Sequence, residues 1–337
     1  MTRVAINGMG RIGRAAFKIL NNTPQLELIA VNDLIPPEGL EYLLKYDTVY
    51  RRYGKDVKSE GGHLEVNGKK CMVFGKKDPS KLPWKDLKID IIFECTGIFT
   101  NKEGLKKHIK AGAKRVILSA PTKSKDVVTI VHGVNEPEPS TRVLSCASCT
   151  TNCITPVIEI LGRRIGVKKA VMTTIHAYTG TQKIVDGFSK KPRRGRAGAA
   201  NFVPTSTGAA KATTKVLPEY SGKFDGVAVR GPIPTGSLAD MVFLMERRTT
   251  REEVNDIFRQ ESESKRYKGI VGVAEDPVVS SDIIQDPRAS IVDIGMTKVI
   301  DGDLVKVMSW YDNEWGYASQ MIREAVRMAG ENKPFDG

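Results

Sequence analysis

Along the chain, apolar and polar positions alternate in two regimes. Residues 2–7 form a short apolar run that predicts a strand, and Ala16, Ile19 and Leu20 recur at helical spacing within residues 14–20. Residues 26–31 form a second apolar run. Further strands are predicted at 89–94, 115–118, 129–131 and 143–144, with a helix at 104–110. Strand–helix alternation of this kind builds a parallel sheet. Residues 154–165 have helix-compatible spacing, and Pro156 should bend or interrupt that helix. Residues 171–179 read as a strand. The pattern then turns to hairpins, with strands at 226–230, 238–246, 270–273, 289–294 and 304–310. Thr250 and Glu253 predict a capping box opening a helix to residue 261, and residues 313–329 form a closing amphipathic helix. The predicted fold class is α/β: a parallel-sheet domain over residues 1–148, then an α+β domain with a mostly antiparallel sheet over 149–312.

The first strand runs directly into Gly8-Met9-Gly10-Arg11-Ile12-Gly13, and a helix follows. That is G-x-G-x-x-G in its required setting, the signature of a Rossmann-type dinucleotide domain. The first glycine permits a tight turn, the second a close approach to a pyrophosphate, and the third tight helix–strand packing. Asp33 lies twenty residues past Gly13, at the end of the second strand. A carboxylate there can accept hydrogen bonds from the adenosine ribose and repels a 2′-phosphate, so NAD is favoured over NADP. Thr96-Gly97 and Ser119-Ala120 close later strands, where open α/β sheets bind ligands.

Composition narrows the class. In 337 residues, 40% are hydrophobic and 27% charged, which fits a folded chain long enough for two domains. No apolar run is long enough to span a bilayer, and the N-terminus lacks the pattern of a signal peptide, so a cytoplasmic protein is expected. Fifty-two basic against 39 acidic residues give a net charge of +13. A surplus of that size attracts anions without naming them. Lys190–Arg196 is a basic run, yet no RNA-recognition signature or zinc finger accompanies it, so nucleic acid is not the expected primary partner.

Three of the five cysteines crowd into Ser145-Cys-Ala-Ser-Cys-Thr-Thr-Asn-Cys153. Ser148 suits an N-cap, which puts Cys149 in the first helical turn. There the helix dipole should lower the thiol pKa and populate the thiolate. Cys146, Cys149 and Cys153 could instead ligate a metal, but no fourth cysteine is near, and no metal is expected. Cys71, Cys95 and Cys146 read as packing residues, and His63 and His108 as solvated or structural. His176 ends a predicted strand and becomes a candidate base if it meets the thiol. Thr205-Ser-Thr-Gly208 opens a helix to residue 216, a start that suits an anion.

This constellation resembles the phosphorylating glyceraldehyde-3-phosphate dehydrogenases. The matching motifs are Asn7-Gly-Met-Gly-Arg-Ile-Gly-Arg14, Ala147-Ser-Cys-Thr-Thr-Asn-Cys153, His176-Ala-Tyr-Thr179, Thr205-Ser-Thr-Gly-Ala-Ala-Lys211 and Trp310-Tyr-Asp-Asn-Glu-Trp-Gly-Tyr317. The resemblance implies that Cys149 is the nucleophile and His176 its base. It implies Thr179, Arg230 and Arg194 for the substrate phosphate, and Ser148, Thr150, Thr207 and Gly208 for attacking inorganic phosphate. Arg11, Ile12, Asp33, Ser119 and Asn313 would hold the cofactor, Asn313 at the nicotinamide carboxamide. The loop at about 179–202 would pack against a neighbour in a homotetramer, and the closing segment 313–337 would return to the nucleotide domain. Two departures stand out: Gly187-Phe188 replaces a Leu-Pro pair of many NAD-using members, and Gly231-Pro-Ile-Pro-Thr-Gly236 departs from the usual Val-Pro-x-Pro-Asn-Val form. The second would alter the substrate pocket. An erythrose-4-phosphate dehydrogenase, which lets water resolve the thioester, is the alternative within the superfamily. A basic nucleic-acid-binding protein is the alternative of another class.

Overall fold

The computed structural model describes residues 1–330; positions 331–337 of the expected closing segment lie outside the described residues. The chain divides into two compact units. Among the described residues, one comprises Met1–His132, Glu136–Ala147 and residues 318–330; the other comprises Gly133–Asn135 and Ser148–Tyr317.

In the first unit the elements are β1 (Thr2–Asn7), α1 (Arg11–Leu20), β2 (Leu26–Asn32), α2 (Pro37–Lys45), a two-residue ladder of β3 (Tyr46–Asp47) and β4 (Arg51–Arg52), β5 (Val57–Glu60), β6 (His63–Val66), β7 (Lys69–Phe74), β8 (Ile91–Glu94), α3 (Lys102–Lys110), β9 (Arg115–Leu118), β10 (Val128–Thr129) and β11 (Val143–Ser145). All strands but β3 and β4 form one nine-stranded sheet in the order β10-β11-β9-β8-β1-β2-β7-β6-β5. It is parallel from β10 to β7, and β5, β6 and β7 add an antiparallel meander. The central strands are buried on both faces, which explains their continuous apolar runs. Ile92, Val116 and Leu118 pack with Leu105 of α3 and with Trp84 in a core that excludes water. On α1, Ala15, Ala16, Phe17, Ile19 and Leu20 are buried.

The second unit holds α4 (Cys149–Arg164), β12 (Val167–Ala177), β13 (Val203–Ser206), α5 (Ala209–Val216), β14 (Phe224–Gly231), β15 (Ser237–Met245), α6 (Arg251–Glu263), β16 (Val271–Ala274), β17 (Ser290–Ile300), β18 (Leu304–Tyr311) and the start of α7 (Trp315–Met328). Its seven-stranded sheet runs β13-β14-β12-β15-β18-β17-β16. Pairing is mostly antiparallel, but β12–β14 and β16–β17 are parallel. Along β15 buried and half-buried residues alternate, the mark of a sheet with one core face.

Three expectations are corrected. Pro156 does not interrupt α4, which runs unbroken from Cys149 to Arg164. The proline removes one backbone bond, a cost of about 3 kcal/mol. Burial of every residue from Thr150 to Ile158, with Ile160 and Leu161, offsets it. At α6 half of the capping box forms: Thr250 Oγ1 accepts the Glu253 N–H at 3.1 Å, but the Glu253 carboxylate turns to Arg247 and the Thr249 hydroxyl. The predicted strand at 129–131 is instead β10, Val128–Thr129. Among the described residues no helix is long and apolar enough to cross a membrane.

Candidate active site

In the first unit the glycine loop is shaped by contacts that no side chain would survive. Gly8 has φ 97°, and a Cβ there would lie 2.6 Å from the Thr96 nitrogen. A Cβ on Gly13 would lie 1.9 Å from the Gly8 carbonyl oxygen, whereas one on Gly10 would meet nothing within 4 Å. Two glycines therefore serve packing and the middle one leaves open space, as a close-approaching phosphate requires. Gly10 is the N-cap of α1 and no side chain caps it. The cradle fits a dinucleotide pyrophosphate.

Asp33 follows β2 directly. Its Oδ2 accepts the Met9 N–H at 2.6 Å and its Oδ1 accepts the Ile35 N–H at 3.0 Å. Both oxygens are thus pinned to loop backbone. Arg11 and Ile12 occupy the first turn of α1, where Arg11 pairs with Asp47 at 2.5 Å and stacks over Tyr50. Ser119 follows β9, its N–H donated to the Glu94 carbonyl at 3.0 Å. Behind the loop sits a buried chain. Trp84 Nε1–H donates to His108 Nδ1 at 3.0 Å, which leaves the proton on Nε2 for the Glu94 carboxylate, also 3.0 Å away. Asn7 donates to the same carboxylate at 2.5 Å. His108 is structural, as expected.

Ala147, at φ 56°, lies two residues before α4, which opens the second unit's site. Ser148 is the N-cap, its Oγ accepting the Thr151 N–H at 3.1 Å, and Cys149 is the first helical residue. β12 delivers His176 to the thiol: Cys149 Sγ lies 3.4 Å from His176 Nε2. Nδ1 of the same ring is 2.7 Å from the Ala177 carbonyl oxygen. A carbonyl only accepts, so the proton sits on Nδ1 and Nε2 offers a lone pair to the thiol. The Tyr311 ring meets the imidazole edge-on at 6.0 Å. Tyr311 Oη also links the Thr150 and Thr174 hydroxyls, at 2.9 and 2.8 Å.

The expected lowering of the thiol pKa is not what this site shows. Burial dominates, pushing the Cys149 thiol up to about 11 and the His176 imidazole down to about 4. Hydrogen bonding at Thr150 and the Arg230 charge oppose the rise at sulfur without cancelling it. Both groups are neutral at pH 7, with the Nε2 lone pair 3.4 Å from the sulfur.

Arg230, on β14, is registered opposite His176 of β12. Its Nη1 donates to Thr179 Oγ1 at 2.5 Å, Thr181 Oγ1 at 3.0 Å and Gln182 Oε1 at 3.2 Å. Its Nε is buried with no partner. Burial, then Arg194, depress the guanidinium to about 10. Arg194 bonds to the Thr205 hydroxyl at 3.0 Å and the Ser206 carbonyl at 3.3 Å. Among the described residues no carboxylate pairs with either guanidinium. Two cations beside a thiol without an anionic partner make a site for an anion. Thr207 and Gly208 stand at the start of α5, with Thr207 Oγ1 accepting the Ala209 N–H at 3.2 Å. α5 is tied to α4 by Thr213–Thr155 at 2.9 Å, and the bonds that gather Cys149, His176, Arg230 and Thr179 do not extend to Thr207 or Gly208. Asn313 follows β18 and is buried.

Two family models cover most of the chain. The glyceraldehyde 3-phosphate dehydrogenase NAD binding domain matches residues 2–102, and the C-terminal domain of the same enzyme matches residues 148–313. The glyceraldehyde-3-phosphate dehydrogenase 2 of Streptomyces avermitilis is 47% identical over 324 residues, 95% of this chain and 96% of its own. The Thermotoga maritima glyceraldehyde-3-phosphate dehydrogenase is 47% identical over 326 residues, covering 96% and 97% of the two chains. Glyceraldehyde-3-phosphate dehydrogenase 1 of Bacillus subtilis is 45% identical over 330 residues, covering 97% and 98%. The chain belongs to the glyceraldehyde-3-phosphate dehydrogenase family.

The fold adds residues that the sequence left unassigned. In this glyceraldehyde-3-phosphate dehydrogenase family member Tyr311, Ser237 and Asp312 are buried hubs around Cys149, His176 and Asn313. Tyr311 sits inside a quoted motif, yet nothing in its spacing signalled contact with Thr150. Thr181 and Gln182 lie two and three residues past Thr179, and only the fold shows that Arg230 reaches all three.

Proposed function

We propose that this protein oxidises glyceraldehyde 3-phosphate with NAD and passes the acyl group to inorganic phosphate, giving 1,3-bisphosphoglycerate through a thioester on Cys149. The observation that carries this reading is the thiol–imidazole contact at 3.4 Å beside an arginine whose Nε has no partner.

His176 Nε2 takes the Cys149 proton, and the sulfur adds to the aldehyde carbon to form a hemithioacetal. The imidazolium then protonates the developing oxyanion and takes that proton back as the C–H bond breaks. NAD, when bound, supplies the hydride acceptor. Arg230, with Thr179 and Arg194, holds the substrate phosphate and fixes which aldehyde carbon meets the sulfur. The thioester is resolved by phosphate near Ser148 and Thr150, with Thr207 and Gly208 completing the anion site. Three hydroxyls share the two contacts Thr174–Tyr311–Thr150. When Thr174 donates to Tyr311 and Tyr311 to Thr150, the Thr150 proton is left to point at an anion.

A homotetramer fits the loop after His176, where Ile184 is 90% and Phe188 87% exposed. Apolar side chains so exposed ask for a covering surface. A reducing, cytoplasmic setting suits five cysteines that are all free. NAD reduction assayed with glyceraldehyde 3-phosphate, with and without inorganic phosphate, tests the assignment. Multiple turnovers that require phosphate are expected. Equal turnover without phosphate would point to water as acceptor and to erythrose 4-phosphate as the substrate to try next.

A further inference from the structure

The segment Gly231–Gly236 departs from the family form, and the fold shows what its fifth residue does. Ser237 opens β15 and Thr235 lies two residues before it; they are 0% and 3% exposed, and both face the Asn313 amide. Ser237 Oγ accepts the Ala177 N–H at 3.1 Å, so its one proton goes to Asn313 Oδ1 at 2.9 Å. Thr235 Oγ1 shares its proton between Asn313 Oδ1 at 3.2 Å and Asp312 Oδ1 at 3.3 Å. Asp312 is itself immobilised by the N–H groups of Gln285, Glu314 and Trp315.

Proton counting fixes the amide. If Asn313 flipped, Nδ2–H would face Ser237 Oγ, and the serine proton would lose its acceptor inside a fully buried site. That costs on the order of 1–3 kcal/mol. Oδ1 is therefore held inward, and Nδ2 has no partner among the described residues. Asn313 presents a donor and withholds its acceptor.

We propose that Ser237, assisted by Thr235, is a positioning residue that locks Asn313 with its N–H edge toward the nicotinamide carbonyl oxygen. This rests on the reading of Asn313 as the residue that meets the cofactor carboxamide. The same serine hydroxyl anchors Ala177, whose carbonyl fixes the His176 tautomer. One buried hydroxyl thus ties the base to the amide that orients the ring accepting hydride.

The lock makes a prediction about ligand chemistry. NAD carries both a carbonyl and an NH2 on its ring substituent, whereas 3-acetylpyridine adenine dinucleotide carries a carbonyl alone. A locked Asn313 donates to either. A freed Asn313 can still meet NAD with whichever edge it turns, but meets the acetyl analogue with only one.

Calorimetric titration of the full-length protein with each dinucleotide tests this without turnover. Ser237→Ala is expected to raise the Kd of the acetyl analogue roughly three- to ten-fold more than that of NAD, the scale of one hydrogen bond. Thr235→Val should do the same more weakly, and Thr235→Ser should restore the wild-type ratio. If Ser237→Ala does not fold, the Thr235 pair carries the comparison. Equal weakening of both dinucleotides, in variants that melt like the wild type, would overturn the lock. Asn313→Ala separates the two claims: it should weaken both dinucleotides, and if it leaves both Kd values unchanged, the assignment of Asn313 to the cofactor fails first.

Discussion

Cys149 and Cys153 are one helical turn apart and have opposite fates. Cys153 is fully buried, packed against the Ser290 hydroxyl and the Ser309 carbonyl, and its thiol is pushed up to about 12 by burial. Cys149 is partly exposed at the helix start and faces an imidazole. Iodoacetamide should label Cys149 stoichiometrically, Cys149→Ala should abolish turnover, and Cys153→Ser should keep most of it. Peptide mapping that finds the label on Cys153 with activity retained would reverse the assignment. His176 sets the pH dependence. With it, the thiol can ionise by handing its proton 3.4 Å across; without it, ionisation awaits the burial-raised value near 11. His176→Asn should therefore move the alkylation-rate profile to higher pH and slow acylation by about two to four orders of magnitude. The same histidine marks acid stability. Its pKa falls from 6.5 to about 4 on folding, mainly by burial, so the unfolded chain takes up the proton first as pH drops. Stability present above pH ~6.5 is lost as pH falls toward ~4, by about 3 kcal/mol for this group. Denaturant unfolding at pH 7 and pH 4 should show a smaller difference in His176→Asn than in the wild type.

Elements were legible where one physical signal dominated. The strand, glycine loop, helix and second strand at the N-terminus were readable because sterics at Gly8 and Gly13 leave no other residue room. The cap at Ser148 was readable because a hydroxyl before a helix has one good use. By contrast α2 and the meander β5–β7 were not anticipated: Glu41, Lys58, Glu65, Lys69 and Lys70 interrupt the apolar pattern of a partly exposed region. Pro156 misled because burial outweighed a local penalty. At the end of β2 the fold refines an argument first made from spacing. Both Asp33 oxygens are pinned, so the carboxylate cannot turn away from a 2′-phosphate. Like charges at close range at intermediate dielectric cost on the order of 1–3 kcal/mol, or about ten- to a hundred-fold in affinity, favouring NAD. Asp33→Asn tests this better than Asp33→Ala, because the amide oxygen can keep one loop bond while the charge is removed. The ratio of kcat/KM for NAD over NADP should narrow in that variant; a wild-type ratio near one would refute the charge argument.

At the scale of the whole molecule the excess of positive charge matters through where it is left unneutralised. Many surface arginines are paired, as Arg163 and Arg164 are with Glu261 and Arg259 is with Glu275. Arg230 and Arg194, near the thiol, pair with no carboxylate among the described residues. A charge sum of +13 does not reveal this, and within the basic run Lys190–Arg196 Arg194 turns to the Thr205 hydroxyl and the Ser206 carbonyl. The chemistry proposed here needs two anion pockets that act at different steps, and so they should separate kinetically. Arg230→Ala removes the proposed clamp on the substrate's own phosphate, together with the bond that steadies Thr179. It should weaken glyceraldehyde 3-phosphate binding and diminish the first-turnover NADH burst at limiting substrate. Thr207→Ala leaves Arg230 untouched and alters the start of α5. It should leave the burst largely intact, raise the KM for inorganic phosphate and slow deacylation. Thr150→Ala should act in the same direction, but it also breaks the buried contact with Tyr311, so a loss of thermal stability should accompany it. Rapid mixing without phosphate, followed by a pulse of phosphate, reads both steps in one experiment. The burst should stop near one equivalent per site and resume on the pulse. A trace that runs on at full rate before the pulse would show that water resolves the thioester, and the second anion pocket would then have no part in turnover.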